Sequence, residues 1–279
     1  SFKAVGTLKG EIAEELGLAP DVKVIAGAGD NAAAAVGTGV VGEGGCNISL
    51  GTSGTLFVSS KSFREDKVNA MHSFCNADGY WHLMGCILSA ASCNSWWVNG
   101  ILQSDDYKKE EAGLEEKMGK NDVFFLPYLM GERSPHNDTS ARGAFIGMRA
   151  DTTRGEMTLA MLEGVTFALR DCLEAAKRNG VEIGRTKLCG GGAKSPLWRK
   201  IVANVMNMPV DLPQTEQGPG FGAAMLAMVG CGEYGSVQAA ADAIVRVRET
   251  VLPDPGIAAA YEEKYRHFTK LYPALKGLF

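Results

Sequence analysis

No CxxC pair, no apolar run long enough to cross a bilayer and no block of like charge occurs in this 279-residue chain. Its seven cysteines (Cys46, Cys75, Cys86, Cys93, Cys172, Cys189 and Cys231) are odd in number and scattered. That is the usage of reduced thiols in a cytosolic protein, not of a disulfide framework. His72 and Cys75 stand three apart, but no second pair follows at zinc-site spacing, so no metal ligands are assigned. The longest apolar, glycine-rich run, Gly220 to Gly232, is too short for a membrane span. The opening Ser-Phe-Lys-Ala-Val-Gly lacks a basic stretch followed by an apolar one, so no secretory signal is expected. With 28 Lys and Arg against 32 Asp and Glu, the net charge of −4 offers no footprint for nucleic acid or an anionic membrane.

Several nucleotide signatures are missing as well. GxxxxGK[ST] is absent, as is GxGxxG between a strand and a helix, which excludes a P-loop and a Rossmann dinucleotide site. Without HRD and DFG the chain is not a protein kinase. What it does have is glycine: 35 residues in short clusters without a repeat, which points to tight turns and close backbone approaches.

The hydrophobic pattern alternates strands with helices, and hairpins interrupt it early. Lys3 to Gly17 reads as a connection into a helical turn, and Val22 to Ala28 as a buried strand. Asp30 then stands before an alanine run, in the position of a helix N-cap. Gly45 to Ser60 reads as a β-hairpin with Gly51-Thr52-Ser53-Gly54 at its tip, and His72 to Gly85 as a second hairpin turning at Asp78-Gly79. Helices are expected over Ser89–Leu102 and Asp105–Met118, then a strand at Val123–Leu126 and a polar loop, Gly131 to Asp138. Glu132 and Arg133 in that loop either reach a cleft or form an exposed ion pair that steadies it. Gly143–Met148 is strand-like, and Thr153–Asn179 opens with a Thr153/Glu156 capping box. A strand at Thr186–Cys189 precedes Gly190-Gly191-Gly192-Ala193, and Ser195 with Pro196 starts a helix. A strand at Val210–Leu212, a helix from Gly218, a strand within 245–252 and a terminal helix from Ile257 complete the pattern. Trp96, Trp97 and Trp198 read as helix packing and His72, His82 and His136 as structural or solvent-facing. The expected fold class is α/β, a mixed sheet flanked by helices, with no linker dividing the chain.

Three glycine-bearing turns carry the chemistry: Gly29-Asp30-Asn31, Gly51-Thr52-Ser53-Gly54 and Gly190-Gly191-Gly192-Ala193. Such turns let backbone N–H groups converge on an anion without a Cβ in the way. Taken singly, each of them is better explained by turn geometry alone.

The order of the motifs carries further. GAGDNAAAAVGTG, NISLGTSGTLF, HSFCNADGYWHLMGCILSAAS, FFLPYLMGERSPHNDTSARGAFIGM, LEGVTFAL, CGGGAKSPLWRKIVANVMNMPV and EQGPGFGAAMLA follow one another between Val22 and Ala227. Together they resemble the FGGY family of sugar kinases. The resemblance implies a ribonuclease-H-like, actin-like ATPase fold, with ATP and Mg2+ as cofactors and a ketopentose as acceptor. Family members have two such domains with the active site between them, and residues 1–279 match only the second, C-terminal one. The D-x-G-T hairpin that opens the first domain does not occur here. That first domain is therefore the expected partner, and a homodimer is a family-level expectation.

By the same resemblance Asp30 is the base that takes the proton from the sugar hydroxyl, with Asn31 at the sugar's edge. Gly51, Thr52, Ser53 and Gly54 would hold the β- and γ-phosphates. Gly191, Gly192 and Ala193 would run along the adenosine, where a side chain would collide with the base, with Ser195 beside them. Asn94 aligns with a nucleotide-contacting glutamine of related glycerol kinases. Mg2+ would ride on the phosphates and water without a carboxylate cluster.

Overall fold

The computed structural model describes residues 1–68, 70–215 and 218–279. Glu216 and Gln217, which open the last of the motifs quoted above, lie outside the described residues. The chain begins with β1 (Ala4–Thr7), α1 (Gly10–Glu15), β2 (Lys23–Ile25) and α2 (Asp30–Gly37). Two hairpins follow, β3 (Cys46–Leu50) with β4 (Gly54–Ser60), and β5 (His72–Cys75) with β6 (Trp81–Ile87). Next come α3 (Ala91–Ser95), which continues as a π-helix over Trp96–Ile101, the short α4 (Tyr107–Glu111), β7 (Phe124–Leu126) and β8 (Ala144–Ile146). The last third holds α5 (Arg154–Arg178), β9 (Thr186–Cys189), α6 (Pro196–Met206) and β10 (Val210–Pro213). It ends with α7 (Gly218–Cys231), α8 (Val237–Ile244), β11 (Val247–Val251) and α9 (Pro255–Leu275).

Seven strands form the central sheet in the order β11-β10-β9-β3-β4-β6-β5, with β3, β9 and β10 parallel and the remaining pairs antiparallel. The period of two along the strands separates two helical layers. Ile48, Leu50, Leu56, Val58, Leu188 and Val210 join α5, α6 and α9 in the main core. On the opposite face Phe57 packs with Ala35 and Val40, and α2, α7 and α8 share a smaller core around Val36 and Met225. Lys187 of β9 reaches from this face to the carbonyl of Thr38 at the end of α2. The fold is the mixed α/β sandwich that the pattern implied.

Four local expectations are corrected. The strand at Val22–Ala28 is shorter and not buried: β2 pairs only with β1, in a separate two-stranded sheet whose residues are mostly exposed. The single charged helix over Asp105–Met118 is broken. Gly113 adopts φ +74°, leaving α4 and a 3-10 turn over Glu115–Lys117. Asp30 is not the N-cap of α2: Gly29 holds that position, and Asp30 is the first helical residue. Glu132 does not form an exposed ion pair with Arg133, because its side chain is buried at 1 % exposure. The capping box of α5 is present as read, with Thr153 Oγ1 accepting from the Glu156 N–H and Glu156 Oε2 accepting from the Thr153 N–H.

Candidate active site

The site assembles where β3 and β9 end side by side. Each strand runs into a glycine turn, and the two turns touch. Gly190 has φ +90°, and a Cβ there would sit 2.6 Å from the Leu50 carbonyl oxygen and 3.0 Å from the Gly51 nitrogen. Only glycine accepts both the dihedral and the approach. At Gly192 a Cβ would meet Trp198 at 2.8 Å and the Leu50 Cβ at 2.9 Å, so this residue is small because of internal packing. The expectation that every residue of the turn clears space for a base is thus reassigned. It is at Gly191 that a Cβ would meet nothing within 4 Å, facing open space.

The β3–β4 tip is held by its carbonyl groups. The Gly51 oxygen accepts the Ala91 N–H at 2.8 Å, and the Thr52 oxygen accepts the Ala90 and Ser92 N–H groups at 2.9 and 3.3 Å. Ser92 Oγ donates a third bond to the Thr52 oxygen at 2.8 Å. The hairpin therefore caps α3, whose first amides have no partner inside the helix. In a trans peptide the N–H points opposite to the C=O. With the Gly51 and Thr52 carbonyls turned toward α3, the amides of Thr52 and Ser53 point away from it. Among the described residues these two amides donate to no protein acceptor. Thr52 is exposed and Ser53 half-buried, so both hydroxyls stand beside the free amides. Two amides without an acceptor, on adjacent residues that also carry hydroxyls, are the groups that donate to phosphate oxygens.

Alongside the tip lies a cleft of about 360 Å³, lined by Ala91, Asn94, Ser95, Tyr107, Lys108, Glu111, Gly191, Gly192, Lys194, Ser195, Pro196 and Trp198. Four residues singled out in the sequence, Asn94, Gly191, Gly192 and Ser195, thus border one apolar-walled space of the size that takes a nucleoside. Ser195 Oγ accepts the Trp198 N–H at 3.0 Å as an N-cap and donates its proton to Glu111 Oε2 at 2.6 Å. Its hydroxyl is therefore committed to protein partners. Tyr107, Lys108 and Glu111 were not expected here. They arrive because α4 stops at Gly113, and that glycine was the available signal. Burial pushes the Glu111 carboxyl above the usual carboxylate range, with the Ser195 hydroxyl pulling it partway back. A larger hollow of about 660 Å³, between Val41–Glu43 and Gly235–Gln238, contains none of the expected residues.

Asp30 and Asn31 line neither of these two spaces. Asp30 is exposed, and its Oδ1 accepts the Asn31 N–H at 2.8 Å. Its Oδ2 accepts nothing among the described residues, so this carboxylate is not consumed by a structural role. No described contact joins Asp30 to Thr52 or to Gly192.

The tryptophans behave as packing: Trp198 and Trp97 are buried and donate to Thr166 and Thr158, while the half-exposed Trp96 stacks on Phe125. His82 stacks on Phe57 at 4.1 Å, and burial holds it down at about 4. His136, 3.0 Å from the Tyr128 hydroxyl, is likewise pushed down to about 4 by burial. Among the described residues no three His, Cys, Asp or Glu side chains gather as a metal site, and no helix is long and apolar enough to cross a membrane.

A mixed sheet flanked by helices, with a strand-end hairpin and a glycine turn edging one cleft, defines an actin-like ATPase domain. Residues 46–231 match the FGGY family of carbohydrate kinases, C-terminal domain. A xylulose kinase of Escherichia coli (strain K12) is 38% identical over 275 residues, covering 98% of this chain and 56% of that protein. One from Staphylococcus epidermidis is 33% identical over 281 residues, covering 100% and 56%. The crystal structure described as a xyloylose kinase from Brucella ovis superposes with a TM-score of 0.93 at 39% identity, over 100% of this chain and 57% of that one. The chain belongs to the FGGY family of carbohydrate kinases, and it spans just over half the length of these relatives.

Proposed function

We propose that this chain is the ATP-binding, base-bearing half of a kinase that phosphorylates D-xylulose to D-xylulose 5-phosphate. What supports this reading is the pair of free amides at Thr52 and Ser53 on a hairpin bonded to Ala91, which lines the cleft bordered by Asn94, Gly191 and Ser195. Purine and ribose occupy the cleft, with Asn94 at its buried wall and the open side of Gly191 as its floor. The triphosphate runs toward the hairpin, where the Thr52 and Ser53 amides and hydroxyls take β- and γ-oxygens, and Gly51 and Gly54 keep the tip narrow. Ala193 and Ser195 hold the glycine turn and the start of α6 in place. Mg2+ would supply charge neutralisation to the bound phosphates, and the chain need not contribute a carboxylate cluster to hold it.

In the transfer, the acceptor hydroxyl oxygen forms a bond to the γ-phosphorus as the bond to the ADP oxygen breaks. The hydroxyl proton passes to Asp30 at the start of α2, where the free Oδ2 is available to orient and then receive it. Much of its contribution is alignment of the hydroxyl for in-line attack. Asn31 borders the sugar. The remaining sugar contacts come from the preceding half of the enzyme, the partner of this chain in the cytoplasm. Acceptor choice among ketopentoses and aldonates, the ribulokinase and gluconokinase alternatives, is therefore made largely outside residues 1–279.

Asp30→Ala in the enzyme joined to its preceding half is the test. Turnover should fall by about a thousandfold or more while ATP affinity stays within about twofold. Retained turnover would remove the kinase reading and leave a non-catalytic nucleotide module. Initial rates with xylulose, ribulose and gluconate settle the acceptor.

A further inference from the structure

Glu132 stands outside the cleft yet is wired to it. Its carboxyl is buried at 1 % exposure in the loop after β7. Oε1 accepts two backbone amides, Leu88 N–H at 2.9 Å and its own neighbour Arg133 N–H at 2.7 Å. The same loop is stitched to the end of β6 by Ser134, which donates its N–H to the Cys86 oxygen at 3.0 Å and accepts the Cys86 N–H on Oγ at 3.2 Å. β6 ends at Ile87, and Leu88 is the first residue of the turn into α3. Two residues later, Ala90 begins the series of amides bonded to the Gly51 and Thr52 carbonyls. The route from Glu132 to the hairpin tip is therefore one short turn of backbone, pinned at both ends.

The choice of residue is costly. Glu132 Oε2 is fully buried without a partner among the described residues, as is the hydroxyl of Ser89 in the same turn. Burying an unpaired carboxyl oxygen beneath a turn destabilises a fold unless that group supplies something else. What it supplies here is an acceptor at the one point where the turn leaves the sheet.

We propose that Glu132 is a positioning residue for the phosphate hairpin: by holding Leu88 it sets the turn whose amides aim the Thr52 and Ser53 N–H groups at the nucleotide phosphates. The inference rests on the nucleotide reading given above. It assigns Glu132 no contact with nucleotide or sugar. Its effect passes through the peptide groups of Leu88, Ala90 and Thr52, and it belongs to the phosphate end of the ligand only.

The test compares AMP and ADP binding to the full chain by calorimetry, in the wild type and in Glu132→Gln, Glu132→Ala and Glu132→Leu. Gln keeps the acceptor at Oε1, while Leu fills the space without one. Ala and Leu should erase the advantage of ADP over AMP by about tenfold or more and leave AMP affinity unchanged, and Gln should retain that advantage. An equal loss for AMP and ADP, or an ADP advantage intact in Ala and Leu, would overturn the proposal. Should neither variant fold, hydrogen exchange on the wild type decides. ADP but not AMP must slow exchange across Leu88–Ser92, and unchanged exchange there refutes the assignment. A wild-type chain that binds neither nucleotide fails the nucleotide reading itself, and the inference falls with it.

Discussion

Replacing Glu132 by Gln should stabilise the fold, and increasingly so as pH rises. Burial pushes this carboxyl up to about 8, against which the amides of Leu88 and Arg133 pull only partway. In the unfolded chain a glutamate loses its proton near 4.3. A carboxyl raised on folding contributes its full stability below the unfolded value and loses it as pH climbs through the folded one. Between pH 5.5 and pH 9 the unfolded state is ionised throughout, while the folded state holds its proton until about 8. Linkage converts that interval into about 3 kcal/mol of stability lost by the wild type from this one group. Glutamine cannot ionise, so Glu132→Gln escapes the loss. Asp171, raised to about 7 by burial, titrates in both proteins and also pushes Glu132 upward, so it cancels in part. Urea unfolding of the two proteins at pH 5.5, 7 and 9 measures it. The gap in favour of the variant should widen by about 3 kcal/mol across the series. A gap that stays constant would show that the buried oxygen is not what holds the proton, and the account of Glu132 as an uncompensated buried acid would be wrong.

Two adjacent glycines should separate stability from binding. Gly191→Ala is expected to leave urea stability within about 0.5 kcal/mol and to weaken ATP binding, because its methyl enters the open cleft. Gly192→Ala should cost about 1–3 kcal/mol by forcing Trp198 and Leu50 apart; equal behaviour of the two variants in melting and calorimetry would contradict the orientations described. Thr153→Ala should lower stability by about 1 kcal/mol through loss of the capping box, and Thr153→Ser should recover most of it, as read from the urea midpoint.

The sheet and most of its helices were legible because their signals are local. Alternation marked the β3–β4 hairpin, Asp78-Gly79 marked the β5–β6 turn, and the Thr153 and Ser195 caps marked α5 and α6. Some errors come from a local signal read without its tertiary partner, others from a glycine whose local geometry was overlooked. Val22–Ala28 has the composition of a buried strand but pairs only with β1, away from the central sheet. The charged segment from Asp105 has helical composition throughout, and Gly113 divides it. α8 carries an alanine pattern that was passed over. At the site, the glycine turns announced close backbone approach but not which approach. Gly190 and Gly192 answer to Leu50 and Trp198, leaving only Gly191 facing open space. Glu111 and Glu132 were illegible as site-building residues because their roles come from partners 84 and 44 positions away.

The final helix lies beyond residue 231, where the family match ends. It nevertheless fastens the loop that carries Glu132: the Tyr272 hydroxyl donates to Asp138 at 2.5 Å, and the Tyr272 ring stacks on His136 at 3.8 Å. Nearer its start, Tyr261 and Lys264 both reach Glu163 of α5, at 2.8 and 2.6 Å. A fragment trimmed to residues 46–231 would keep the glycines of the Gly51–Gly54 and Gly190–Gly192 turns, lose Gly29, and forfeit the buttress of the Glu132 loop. The mechanical support of that loop thus lies past the last residue of the family match.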